Sequence, residues 1–480
     1  MAFSSYWFLL AFLPVAFLGH LFLSARGMRQ SAILWLLLAS LAFYASWGIG
    51  LVWPLLASLA FNYLLSGYLV AGSERRRALL YVGVVANIAF LAGFKLAALR
   101  HCAETLRCTG GFLGAEDILI PLGISFFTFQ QIAFLVDCAK GRCTRPTLTE
   151  YGLFILFFPQ LVMGPIVHAR HVLPQFQSER FLARDARDWA AGVSLLALGL
   201  FKKTVLADSL APYVASTFSR ASGGDFLSTI DAWGAAIAFQ FQLYFDFSGY
   251  ADMAVGLALL FGIAIPFSFD SPHKSKNRFE VWRRWNITLV EFFRSYVFLP
   301  LVRRGVSPWL ALLVTALCSG LWHGIGTTFL VWSLVMAALM LVVHWRKRFL
   351  PTIVLIGAWA KGGHALAVIL TFCITSLLGV IFRAPDIDTA LHLYRAMFSV
   401  SNGINLSMLH LLLLAFCTII IWFMPNTREM FGRCVQGHDD KATTQLAFAP
   451  NWRWGIAIGI VGVVALVFTS RSTRFVYLQF

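Results

Sequence analysis

Tyr6-Trp-Phe-Leu-Leu-Ala-Phe-Leu-Pro-Val-Ala-Phe-Leu-Gly-His-Leu-Phe-Leu23 contains no Asp, Glu, Lys or Arg. A helix rises about 1.5 Å per residue and the bilayer hydrocarbon is about 30 Å thick, so about 20 such residues cross it. The run lacks a basic leader and an A-x-A cleavage site, so a retained first span is expected rather than a signal peptide. Comparable runs recur at 32–47, 51–71, 78–97, 118–137, 149–166, 188–206, 230–247, 250–267, 308–322, 325–345, 364–382, 404–424 and 454–470. Some of these should be re-entrant. The expected fold is therefore an all-α polytopic membrane protein of about 11–13 transmembrane helices, with re-entrant and interfacial helices around a central funnel.

Composition agrees. Of 480 residues, 59% are hydrophobic and 12% charged, whereas a soluble domain carries about 25% charged residues. No stretch between the runs suits a separate soluble domain, and neither an internal repeat nor a low-complexity tract is present. The net charge of +16 does not indicate nucleic acid, because the Lys and Arg residues sit in short loops where they set topology. Arg26 and Arg29, then Arg75, Arg76 and Arg77, then Lys140, Arg142 and Arg145 fall on one side. That side is expected to be cytoplasmic, with the N-terminus outside. The outward loop after the fourth run then carries Cys102 and Cys108, which either form a disulfide in an oxidising periplasm or remain thiols. The other cysteines read as small apolar packing residues. No Cys/His spacing suits zinc, so no metal is expected. A polar linker is expected at 434–452.

Polar groups inside membrane segments cost about 2.5–3.5 kcal/mol each on insertion scales, and four stretches carry them. Pro121-Leu-Gly-Ile-Ser-Phe-Phe-Thr-Phe-Gln-Gln131 offers Ser125, Thr128, Gln130 and Gln131 as a binding surface or as interhelical glue. Phe157-Phe-Pro-Gln-Leu-Val-Met-Gly-Pro165 cannot form a regular span, and such a break survives only when buried in protein or lining a cavity; a cavity wall is expected. Gln240-Phe-Gln-Leu-Tyr-Phe-Asp-Phe-Ser-Gly-Tyr-Ala-Asp252 carries Asp246 and Asp252, which serve either as acid/base groups or as ion-pair partners. Residues 271–304 hold eight Lys/Arg against two Glu. That balance, interleaved with Trp, reads as an interfacial amphipathic segment that binds lipid headgroups or an anionic substrate.

Ser319-Gly-Leu-Trp-His-Gly324 follows the next run. Gly320 and Gly324 permit close backbone approach around His323. A neutral imidazole there can take a proton from a hydroxyl near neutral pH, although a lone histidine is equally a packing residue.

Together, PLGISFFTFQQ, FFPQLVMGPI, YFDFSGYADMAVG, FDSPHKS, VWRRWNITL and GLWHGIGTTF resemble the membrane-bound O-acyltransferase (MBOAT) family, nearest its bacterial branch that includes alginate O-acetyltransferase. The terminal Phe475-Val-Tyr-Leu-Gln-Phe480 also resembles that branch. The resemblance implies one membrane domain, with N-terminal spans over 1–90, a catalytic core over 91–345 and C-terminal spans over 346–480. It implies an enzyme of the bacterial inner membrane that moves an acetyl group from cytoplasmic acetyl-CoA toward an exported polysaccharide, often with a periplasmic SGNH hydrolase-like partner. No bound cofactor is implied. His323 takes the family's general-base position. Lys274, Arg283, Arg284, Trp285, Trp322, Gln130, Asp246 and Ser248 are the expected donor or substrate contacts. Asn286 stands where the branch commonly has a histidine, so a two-histidine mechanism is excluded there and Asn286 is expected to polarise or orient the thioester carbonyl. A transporter and a catalytically altered assembly partner are the competing readings. Peptidoglycan, cellulose and teichoic acid (as D-alanyl acceptor) are the alternative acceptors.

Overall fold

A computed structural model describes residues 1–70, 75–105, 121–349, 358–401, 403, 406–436, 446–470, 473 and 476. All regular elements among these residues are helical. Seven helices are long and apolar enough to cross a membrane: Phe8–Ala25, Ile49–Val70, Arg76–Ala98, Ala186–Ser222, Thr327–Arg346, Gly362–Arg383 and Trp452–Thr469. A pair bent by 48°, Met408–Phe423 with Thr427–Val435, and three shorter apolar helices, Arg29–Ala45, Ile124–Ala139 and Pro308–His323, accompany them. The all-α polytopic fold is as expected, with seven helices of spanning length and apolarity among the described residues, or eight with the bent pair. The chain is a multi-pass membrane protein.

Thr229–Leu260 is one helix of 32 residues. It takes the place of the two spans expected at 230–247 and 250–267, an expectation the continuous helix corrects. Ser248 and Gly249 do not interrupt it; they let a neighbour approach. Every residue from Ala238 to Leu260 is buried, Asp246 and Asp252 included. Helix Ala186–Phe201 lies against it across two glycine pairs. A Cβ on Gly199 would stand 2.5 Å from the Gly249 carbonyl oxygen, and one on Gly192 2.8 Å from that of Gly256. Without a hydrophobic force between helices in lipid, such backbone contact is a main source of association. Gly199→Val should therefore separate the pair and cost at least the 1–3 kcal/mol typical of overpacking. A lower thermal midpoint in detergent checks this; an unchanged midpoint would mean that the seam does not hold the two helices.

Buried ion pairs fix the same interface. Lys203 meets Asp208 at 2.7 Å and Asp246 at 2.8 Å. Lys202 meets Asp252 at 2.5 Å, and Thr427 donates to Asp252 at 2.9 Å. The Val476 amide donates to Asp246 at 2.8 Å, tying the C-terminal segment to the central helix.

The broken stretch is re-entrant. Thr147 and Glu150 form a capping box that starts Leu148–Leu156. Phe157 (φ −48°, ψ 107°) ends it, and Phe158–Leu161 follows with Pro159 in its first turn. Gln177 donates to Glu150 of that capping box, which returns the chain to the end it entered from. Phe157–Pro165 is buried in protein and contributes nothing to the cavity described below. The expected cavity wall is thus corrected to the other environment in which a broken helix survives. Gly123 (φ +70°) packs against it so closely that a Cβ would lie 2.4 Å from the Leu161 carbonyl oxygen. The Cys102 side chain, Cys108 and residues 437–445 of the expected linker lie outside the described residues.

Candidate active site

The basic segment folds as short helices separated by two left-handed residues, Ser271 (φ +46°) and Asn286 (φ +40°). Asn277 caps Arg278–Arg284 by accepting from the Glu280 amide at 3.1 Å. Asn286 then turns the chain into Ile287–Phe293. Asn is among the few non-glycine residues that tolerate this conformation. The turn is held from both sides: Asp270 N donates to Arg284 O at 3.0 Å and Ile287 N to Ser268 O at 2.8 Å.

Helix Arg278–Arg284 separates two cavities. Arg278, Val281 and Trp282, with the following Trp285, face an inner cavity of about 80 Å³. Asn277, Phe279, Glu280 and Arg283 face an outer one of about 360 Å³ beside His344. The inner cavity is also lined by Asn286, His323, Gln240, Ser319, Trp332 and Phe382.

His323 ends helix Pro308–His323 and is 7% exposed. Its ring lies 4.9 Å from Phe382 and 5.4 Å from Trp332, edge-on to both. The flanking glycines are required for this fit: a Cβ on Gly320 would stand 2.6 Å from Ser333 Cβ, and one on Gly324 2.5 Å from the Phe329 ring. Lys95 donates to the Trp322 carbonyl and places a cation on the same helix end. Asn286 is 3% exposed, and its Nδ2 is buried with no hydrogen-bond partner among the described residues. A buried amide N–H without a partner is costly and is available to a ligand oxygen.

Of the expected contacts, the cavity brings together His323, Asn286 and Trp285. The other expected residues do not line it. Lys274 donates to the Met424 carbonyl at 2.8 Å. Arg283 faces the outer cavity, and Arg284 pairs with Glu280 at 3.0 Å. Trp322 packs toward Phe126 and Phe129. Gln130 is buried elsewhere, Asp246 is held by Lys203, and Ser248 is buried on the central helix. Sequence reasoning missed Gln240, Arg278, Ser319 and Trp332. Behind the segment, Tyr296 lies 3.0 Å from His168 Nδ1 and donates to Asp137 at 3.2 Å. Burial, with Arg278 nearby, pulls His273 down to about 3 and keeps it neutral. Among the described residues no group of three or more His, Cys, Asp or Glu is arranged to hold a metal ion.

A histidine-bearing cavity at the end of a membrane helix, walled by aromatics and bordered by a basic helix, has room for a small polar ligand. Residues 124–355 match the family described as MBOAT, membrane-bound O-acyltransferase family. The chain is 35% identical over 434 residues to the peptidoglycan O-acetyltransferase of Helicobacter pylori, covering 83% of this chain and 80% of that protein. It is 33% identical over 473 residues to the "probable alginate O-acetylase AlgI" of Azotobacter vinelandii, covering 94% and 90%. A more distant relative, the teichoic acid D-alanyltransferase of Streptococcus thermophilus, is 31% identical over 227 residues, covering 44% and 54%. The chain belongs to the membrane-bound O-acyltransferase family and is a membrane-bound acyltransferase.

Asn286→Asp preserves size and left-handed tolerance but removes the free N–H and adds a buried negative charge. Turnover should fall by at least the 10²-fold seen when one oxyanion donor is lost, while the donor KM changes little. Steady-state kinetics of the purified variant check this. Full turnover would remove Asn286 from the chemistry.

Proposed function

We propose that this protein takes an acetyl group from acetyl-CoA at the cytoplasmic face and delivers it toward hydroxyls of an exported glycan, with His323 as general base. The observation that carries the proposal is the shared cavity: His323 and Asn286 line one small aromatic-walled chamber, and its floor is the basic helix Arg278–Arg284. The imidazole accepts the proton of the attacking hydroxyl as its oxygen bonds to the thioester carbon. The carbonyl π pair moves onto oxygen, where the Asn286 N–H can receive it. Collapse breaks the C–S bond, and the proton passes from imidazolium to the departing thiolate.

The relatives' names support an acetylated glycan of the cell envelope, with peptidoglycan and an alginate-like polysaccharide as the acceptor classes. The loop charges support an inner-membrane protein with its N-terminus outside. An SGNH hydrolase-like periplasmic protein is the proposed final carrier. The test uses the purified full chain with radiolabelled acetyl-CoA, scored for thioester cleavage and for label on peptidoglycan fragments or polysaccharide. Cleavage above the buffer rate is expected. No cleavage in the presence of either acceptor would reject acetyl-CoA as donor.

A further inference from the structure

Arg278 places a cation at the wall of the inner cavity. Its Nε and Nη2 point at the Met336 sulfur at 2.9 and 2.8 Å, and Nη1 donates to Thr375 at 3.0 Å. A thioether is a weak acceptor, so two of the three contacts give the charge little. No carboxylate among the described residues pairs with it, and burial pulls the guanidinium down to about 10 with nothing to offset it. Arg278 is half-buried, and a charge drawn out of water is normally paired.

Its position along the cavity is informative. The guanidinium is level with Met336 and Thr375, whereas the His323 ring packs on Trp332 and Phe382. Those pairs are four and seven residues apart on their helices, or about 6 and 10 Å at 1.5 Å per residue. That gap is too long for contact. It fits an attacking hydroxyl at the imidazole and an acyl carbon between, with the carbonyl oxygen turned to the guanidinium.

We propose that Arg278 contacts the reacting carbonyl oxygen and, with Asn286, stabilises the oxyanion of the tetrahedral intermediate. This rests on the thioester acyl transfer described above. The acceptor oxygen bonds to carbon and its proton goes to His323; the π pair becomes the negative charge facing Arg278. When that pair re-forms the carbonyl, the thiolate leaves and takes the proton.

Two measurements on the full chain in detergent test it. In turnover of acetyl-CoA, Arg278→Gln should lower kcat about 10²–10³-fold, the usual cost of one oxyanion donor, with the donor KM within about threefold; Arg278→Lys should recover about tenfold of the loss. Unchanged kcat, or a raised KM alone, overturns the role and assigns Arg278 to donor binding. The second measurement needs no knowledge of the donor. Methylphosphonate, a small tetrahedral anion shaped like the acetyl adduct, should raise the melting temperature of the wild type and of Arg278→Lys but not of Arg278→Gln. No shift in the wild type, or an equal shift in Arg278→Gln, overturns the inference. An Arg278-dependent shift in a protein that does not cleave acetyl-CoA rejects the donor and keeps the oxyanion site.

Discussion

His323→Ala is expected to lower acyl transfer by about 10²–10⁴-fold, the range for removal of a positioned general base, with little change in melting temperature or donor KM. The imidazole already borders an open cavity of about 80 Å³, so its removal enlarges a space rather than opening one in close-packed core. The glycines that shape the site, Gly320 and Gly324, remain. His323→Gln is the sharper companion, because it keeps a polar side chain of similar reach that cannot relay a proton. Both variants should be equally inactive. Turnover in Gln near that of wild type would mean that the imidazole acts by position and not as a base.

The largest expected effect on stability comes from Lys203→Met. Lys203 bridges Asp208 and Asp246, and the side chains are 4%, 4% and 1% exposed. Removing the cation leaves two buried carboxylates facing each other. Breaking a buried pair costs about 3–5 kcal/mol, and here one residue serves two partners. The expected readout is loss of monodisperse protein on detergent extraction, or a strongly lowered melting temperature if it survives. Lys203→Arg should retain most of the stability. Combining Lys203→Met with Asp208→Asn and Asp246→Asn should recover part of the loss, since neutral amides carry a smaller desolvation penalty. A triple variant no better than the single one would show that shape rather than charge is lost.

The spans were legible because apolar runs of bilayer length admit few alternatives. The central helix was not, because Ser248-Gly249 reads as a break in one dimension and becomes a contact only when Gly199 is opposite it. His323, Asn286 and Trp285 were legible from their motifs. Asp246 takes the ion-pair role of its two expected ones and not the substrate contact; its partner was not legible, because Lys203 lies in a different helix that reads as apolar. Arg278 was hidden among the eight basic residues of its segment. Charge along a strand of sequence does not reveal which face of a short amphipathic helix turns inward.

The pairing of the central helix also orders the making of the protein. Lys202 lies 50 residues upstream of Asp252, and Lys203 likewise precedes Asp246. Each carboxylate adds about 2.5–3.5 kcal/mol to the cost of releasing a lone helix into lipid. By the time Thr229–Leu260 leaves the ribosome, Ala186–Ser222 has already been synthesised with both lysines in place. The two segments are therefore suited to enter the bilayer as a neutralised hairpin, with the earlier helix held at the insertion site until its acidic partner arrives.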